Sequence, residues 1–179
     1  MRLVDTDQSQ SFELLILPHL DAAYNLSRWL TGSERDAEDV TQEACLRAFK
    51  FFATFRGESA RAWFLTIVRR TAWSWLQKHR GYREELEFDE ELHGGEDVAS
   101  NPEAVIMRQA DVAAVRTAIE GLPPEFREVL VLRELEGCAY KEIADVAGVP
   151  IGTVMSRLAR GRRMLQTALS THAQSGGLS

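Results

Sequence analysis

Apolar residues recur at three- and four-residue steps along almost the whole chain, and that helical period breaks off in one place. β-branched alternation is nowhere sustained, so strands are not expected. The break is "EELEFDEELHGGEDVASNP", which is acidic, has Gly94–Gly95 at its centre and ends in Asn101–Pro102. Such a stretch has too little apolar surface to fold on itself and reads as a linker. The pattern therefore predicts an all-α chain of two small helical domains, residues 8–82 and 103–171. A flexible acidic linker, 83–102, joins them, and "SGGLS" is a frayed end. With 179 residues, 45% of them apolar and 27% charged, there is material for two such cores. No internal repeat is evident.

Within each half, local signals place the helices. "SFELLILPHLDAAYNLSRWLTG" predicts one or two helices kinked near Pro18 and closed by Gly32. "SERDAEDVTQEACLRAFKFFATF" opens on an N-cap at Ser33, with acids in the first turns where the helix dipole favours them. "SARAWFLTIVRRTAWSWLQKHRG" is a third helix closed near Gly81, its core stripe Phe64, Ile67 or Val68, Thr71 and Trp75. Beyond the linker come a helix to about Gly121, one opening at Pro123–Pro124, and a pair of short helices joined at Gly148.

Several function classes drop out. No apolar run is long enough to span a bilayer, and "MRLVDTDQSQ" lacks the apolar region of a signal peptide, so a cytoplasmic protein without membrane insertion is expected. Cys45 and Cys138 are far apart, with no CxxC or Cys/His cluster, and read as two buried structural thiols rather than a zinc site. His19, His79, His93 and His172 are scattered without partners, and no nucleophile–base set or phosphate loop occurs. Neither an enzyme, a metal site nor a cofactor is expected.

Charge is sharply segregated. The formal net charge is −6, yet residues 61–83 carry Arg61, Arg69, Arg70, Lys78, Arg80 and Arg83 without one acid. Residues 84–103 then carry nine acids and no Lys or Arg. Residues 151–170 carry Arg157, Arg160, Arg162 and Arg163, again without an acid. Two basic stripes on separate domains point to nucleic acid despite the negative total.

The second stripe belongs to "AYKEIADVAGVPIGTVMSRLARGRRML", which has the marks of a helix-turn-helix over 140–163. The crossing of its two helices needs a small residue and the turn one that tolerates positive φ. Ala144 and Gly148 meet those demands. Ile143, Ala147, Val149, Val154 and Leu158 supply the packing face, and Thr153 is placed to cap the second helix. That helix would present Met155, Ser156, Ala159 and Arg160 outward, with Arg157, Arg162 and Arg163 beside them for phosphates. An ordinary helical hairpin with a solvated basic face is the competing reading. The run of arginines without an acid favours DNA.

The first stripe is different, since Trp63, Trp73 and Trp75 fall among its cations. Rings beside cations hold the unstacked bases of a single strand. Trp75 lies on the apolar stripe and is assigned to the core. Trp63 fits either role, and Trp73, offset from the stripe, is expected at the surface. The preceding helix, "DAEDVTQEACLRAF", carries acids on one face. Such a face is ordinarily solvated, but on a DNA-binding domain it must point away from DNA and could hold a protein partner.

Taken in order, "DAEDVTQEACLRAF", "FRGESARAWFLTIVRRTAWSWLQKHR" and "LPPEFREVLVLRELEGCAYKEIADVAGVPIGTVMSRLARGRRML" resemble the extracytoplasmic-function group of bacterial RNA polymerase sigma factors. The resemblance implies that 8–82 is sigma domain 2 and 103–171 is sigma domain 4. It implies core RNA polymerase, promoter DNA and an anti-sigma factor as partners. Asp39, Gln42, Glu43 and Arg47 fall where the family docks on the clamp coiled coil of the largest polymerase subunit. Arg61, Trp63, Arg69, Arg70, Trp73, Ser74, Gln77, Lys78 and Arg80 fall where it melts and reads the −10 element. Thr153, Met155, Ser156, Arg157, Ala159, Arg160, Arg162 and Arg163 fall where it reads the −35 element as duplex. The acidic linker falls where the family threads its connector toward the RNA exit path.

Arg70 stands where the family often has Asn, Ser74 where Asp is frequent, and Met155 where Lys or Arg is common; these departures bear on which promoter is read. Reach agrees with a two-handed grip. A connector of about 18 residues extends at most roughly 60 Å, and the two elements lie on the order of 50–55 Å apart. Two rivals remain at this stage. One is a stand-alone helix-turn-helix regulator, which leaves the acidic helix and the Trp-rich helix without a role. The other is a DNA-acting enzyme, for which no catalytic set exists.

Overall fold

The computed structural model describes residues 6–57, 59–79 and 102–175, all of it helices and short connections, with no strand among the described residues. Linker residues 83–101, together with Arg80, Gly81 and residues 176–179 of the terminal "SGGLS", lie outside the described residues, while Pro102 opens a helix and Ser175 ends one. Helix α1 is Thr6–Ile16, a 3-10 turn Leu17–His19 carries Pro18, and α2 is Leu20–Thr31. α3 is Glu34–Phe51 and α4 is Ala60–Lys78. α5 is Pro102–Glu120, α6 is Pro124–Leu130 continued by a π turn Val131–Leu135, α7 is Tyr140–Ala147 and α8 is Ile151–Ser175.

The helix ends follow from individual residues. Gly32 closes α2 at φ 75°, a left-handed conformation that a Cβ would strain. Ser33 and Ser59 are N-caps: their hydroxyls accept from Asp36 N–H at 3.3 Å and Ala62 N–H at 3.1 Å. Gly148 ends α7 at φ 66° and gives the helix-turn-helix its turn. The cap expected at Thr153 is not there. α8 begins two residues earlier, and the carbonyl of Pro150 receives the Thr153 and Val154 N–H groups at 2.9 and 3.1 Å. Proline at that point fixes φ ahead of the first turn, so no hydroxyl cap is required.

α2, α3 and α4 pack on one another around Leu26, Leu30, Val40, Phe64, Leu65 and Val68, each at most 2% exposed. Alanines on the buried faces, Ala23, Ala37, Ala44 and Ala48, let the axes approach closely. α1 closes the end of this group, with Phe12 edge-on to Phe49 and Phe52 at 5.1 and 5.4 Å. Trp63 joins the same cluster, 5.3 Å from Phe55, and so is packed on one side. Trp75, expected in the core, is only half-buried and stacks on His79 at 4.3 Å.

In the second group α8 lies across α5, α6 and α7, burying Val154 and Leu158 against Ile143, Val129 and Leu132. Gly161 lets α8 reach α6: a Cβ there would stand 3.0 Å from Leu130 Cδ1. Cys138 is buried, whereas Cys45 is half-exposed on α3, so only one of the two thiols is a core residue. The two groups also meet. α4 packs on α7 and α2 on α6, and the Arg127 guanidinium donates to Leu122 O in its own group and to Trp29 O, 2.9 Å away, in the other.

Candidate nucleic-acid interface and partner face

Helix α8 presents what its sequence period implies. Val154 and Leu158 point inward at 0% and 1% exposure, which turns Met155, Ser156, Ala159 and Arg160 outward together. Met155 is 53% exposed, an apolar residue left in water beside the arginines of α8, as are Ile151 at 45% and Met164 at 39%. The arginines beside this face divide. Arg163 is exposed; Arg162 forms an ion pair with Glu134 at 2.6 Å; Arg157 turns away from the outward face toward Glu128 at 3.5 Å. Thr153 is half-buried at the start of the row.

Helix α4 has two polar faces. One carries Arg70, Ser74, Gln77 and Lys78, all exposed and spaced by three and four residues. The other carries Arg61, Arg69 and Trp73, and it faces the second group of helices. Arg69 makes a two-pronged ion pair with Glu128, Nε at 2.8 Å and Nη2 at 3.1 Å, and its guanidinium lies 5.1 Å from the Trp73 ring. Trp73, expected at the surface, is half-buried because its Nε1–H donates to the same carboxylate at 2.7 Å. Arg61 pairs with Glu142 at 2.8 Å. Burial alone would raise the Glu142 carboxyl. Hydrogen bonds from Arg61 and from the Ala139 N–H outweigh that and hold it below the ordinary carboxylate range. At His19, close by, burial and then the Arg61 charge push the imidazole down, partly offset by Glu142.

On α3, Asp39, Gln42, Glu43 and Arg47 are all exposed on one face, with Glu43 and Arg47 ion-paired one turn apart. Sequence reasoning missed Leu46, which stands among them at 72% exposure. It forms one wall of an open groove of about 610 Å³ that runs between α3, α1 and the start of α2, with Phe12, Leu20, Tyr24 and Cys45 in its lining. The signal was available in the sequence as a leucine one step off the apolar stripe of "DAEDVTQEACLRAF". Among the described residues no group of three or more His, Cys, Asp or Glu side chains is placed to hold a metal ion.

A helix-turn-helix with a bare outward face, coupled to a helical domain with a basic Trp-bearing helix and an acidic one, defines a two-part helical DNA-binding protein. Comparison with known proteins narrows the class. Residues 15–82 match the family model for sigma-70 region 2 and residues 113–165 that for sigma-70 region 4. The chain is 35% identical over 171 residues to the ECF RNA polymerase sigma factor SigE of Mycolicibacterium smegmatis, covering 91% of this chain and 63% of that one. It is 35% identical to the RNA polymerase sigma-H factor of Pseudomonas aeruginosa, covering 93% and 90%, and 33% identical to the ECF sigma-E factor of Escherichia coli K12, covering 90% and 88%. Among solved structures, the fold is similar to the sigma factor RpoE in complex with the anti-sigma factor NepR from Bartonella quintana, with TM-score 0.69, 24% identity and coverage of 93% and 98%. It is also similar to CnrH in complex with the cytosolic domain of CnrY, with TM-score 0.62, 24% identity and coverage of 91% and 90%. The chain belongs to the extracytoplasmic-function sigma factors of bacterial RNA polymerase. It is an alternative sigma factor, a subunit for promoter-specific transcription initiation, and the stand-alone regulator is not favoured.

Proposed function

We propose that this sigma factor divides its work by domain. Residues 8–82 dock on core polymerase through α3 and melt and read the −10 element with α4. Residues 103–171 read the −35 duplex with α8. The observation that carries the assignment is the outward row Met155, Ser156, Ala159 and Arg160, which is free of partners from the protein's other helices while the opposite side of α8 is fully packed. Met155 and Ala159 have no hydrogen-bonding group for a base edge and suit a thymine methyl; Arg160 suits the two acceptors of guanine.

On α4, Arg70, Ser74, Gln77 and Lys78 form the face open to DNA, with Arg61, Trp63, Arg69 and Trp73 on its flank. Arg80 completes the basic run from outside the described residues. On α3, Leu46 supplies an apolar centre and Asp39, Gln42, Glu43 and Arg47 a polar rim, the anatomy of a protein interface rather than of a DNA face. The protein carries out no chemistry itself: it positions polymerase and stabilises unpaired bases. Its place is the cytoplasm, and no helix among the described residues is long and apolar enough to cross a membrane. The solved neighbour RpoE was captured with the anti-sigma factor NepR, which supports control of this chain by a protein of the same kind.

The test is permanganate footprinting of promoter fragments with core polymerase plus the purified chain. The proposal expects thymine reactivity about one and a half to two duplex turns downstream of the segment protected by α8. Protection of one duplex site by the chain, unchanged by polymerase and without unpaired thymines, would contradict it.

A further inference from the structure

The outward face of α8 is split lengthwise. Ile151, Met155 and Ala159 follow one another at four-residue steps and are all exposed, Ile151 at 45% and Met155 at 53%. Ser156 and Arg160 each lie one residue further on, hence about 100° round the helix. One flank is thus apolar and the other hydrogen-bonding. Exposed apolar residues scattered singly over a surface need no explanation. Three in one register do, beside arginines and at the end of the helix that a helix-turn-helix sets against base edges. Met164, also exposed, belongs elsewhere: it turns toward α5 and lines a groove with Ala118 and Leu122.

Between the two flanks stands Gly152. Its backbone is ordinary helix, since positive φ among the described residues occurs at Gly32, Gly137 and Gly148, and a Cβ there would meet nothing within 4 Å. Gly161, by contrast, is held to glycine by Leu130. Nothing inside the protein requires Gly152, although a glycine costs helix stability relative to alanine. A surface pressed against this turn would require it.

We infer that the first turns of α8 read thymine by its C5 methyl: Ile151, Met155 and Ala159 pack on methyls of one strand, and Gly152 lets the helix backbone come close enough for them to touch. This rests on the reading of α8 as the −35 element reader and names the base chemistry it takes. Thymine's methyl and adenine's N7 lie on opposite strands of an A·T pair, and guanine offers N7 and O6. A helix seated in the groove can therefore turn its apolar flank to the methyls of one strand while Ser156 and Arg160 reach purine edges of the other. The strip rises about 6 Å per four-residue step, so its three side chains span roughly four base pairs at about 3.4 Å each. The upstream element of this chain holds neighbouring thymines on one strand within that span.

The test uses holoenzyme reconstituted from core polymerase and the full chain, bound to fragments that it selects. Thymines of the upstream element are replaced one at a time by deoxyuridine, which removes the methyl and keeps every hydrogen-bonding group. Expected is a loss of affinity of about fourfold per methyl, confined to neighbouring thymines of one strand. Met155→Ala should remove the penalty at one of these positions, so that thymine and deoxyuridine bind alike there, while Arg160→Ala leaves it in place. Gly152→Ala should keep or raise the melting temperature and still weaken binding to the same fragments. A selected element without thymine, or no deoxyuridine penalty while Arg160→Ala still relaxes one base pair, overturns methyl reading and leaves α8 as the upstream reader. A penalty that survives in both Ile151→Ala and Met155→Ala, or a Gly152→Ala variant that binds as wild type does, overturns the role of the strip. If neither deoxyuridine nor Arg160→Ala has any effect at the upstream element, the reading of α8 itself fails with the inference.

Discussion

Trp73 can be changed so that its bond to Glu128 and its proposed stacking on a base are told apart. Its indole N–H is bonded to Glu128 at 2.7 Å, and its ring lies under the Arg69 guanidinium. Trp73→Phe removes the hydrogen bond and keeps a ring that can stack on a base. A hydrogen bond to a charged acceptor is worth about 1.5–3 kcal/mol, so the state with Trp73 held against Glu128 should lose roughly a ten- to hundredfold advantage over the one with Trp73 released. Trp73→Ala loses the same bond and also forfeits about 1–3 kcal/mol of stacking per base. On a single-stranded probe without polymerase, the Phe variant should bind more tightly than wild type, and the Ala variant should fall back to wild type or below. With polymerase present, and both promoter elements engaged on the order of 50–55 Å apart, the Glu128 contact should no longer be made. The Phe variant should then melt promoters nearly as well as wild type, and the Ala variant should be impaired at melting more than at closed-complex binding. Equal loss in both variants, with matching drops in melting temperature, would refute the reasoning and make Trp73 a packing residue.

Further outcomes follow from the other faces. Glu43→Lys, which also breaks the pair with Arg47 on the exposed face of α3, should weaken core polymerase binding at a cost of up to several kcal/mol and leave duplex DNA contacts of the chain unchanged; titration of core measures it. Arg160→Ala should cost about 1–3 kcal/mol at one base pair of the upstream element and relax preference there, whereas Arg163→Ala should weaken all sequences alike and reduce the salt slope by about one; a promoter-variant binding series at several salt concentrations separates the two. Burial pushes the Cys138 thiol up to about 11, and it is buried, whereas Cys45 is half-exposed with a smaller upward push. A thiol reagent at pH 8 should therefore label Cys45 first, with Cys138 reacting only on unfolding, since about one Cys138 in a thousand is ionised there.

Much of this architecture is readable along the chain because its signals are local. Ser33, Ser59, Gly32 and Gly148 set helix ends by their own side chain, or lack of one, and the sequence shows each directly. The outward row of α8 follows from a 3.6-residue period, and the same period turns Arg70, Ser74, Gln77 and Lys78 together. What is not readable is contact between helices remote in sequence. Glu128 meets Trp73 across 55 residues and Arg69 across 59, and nothing local to "PPEFREVL" distinguishes its buried acid from a solvated one. Arg157 looks like a phosphate ligand for the same reason: its period puts it beside the DNA face, and only the packed structure turns it toward Glu128. Trp63 fits either role on paper until the turn after α3 brings Phe52 and Phe55 against it. Pro150 in place of Thr153 is a smaller case, in which two valid helix-start signals lie three residues apart and the rigid one prevails.

The central claim is that this chain acts with polymerase and through both domains at once. Run-off transcription with purified core polymerase, on fragments selected for binding by the reconstituted holoenzyme, tests it most directly when the spacer between the two selected elements is varied. Expected are transcripts that depend on the chain, peak at one spacing, and are lost both with Arg160→Ala at the upstream element and with Trp73→Ala at the downstream one. Transcription indifferent to spacing and to Trp73, or DNA binding that polymerase does not alter, would contradict it.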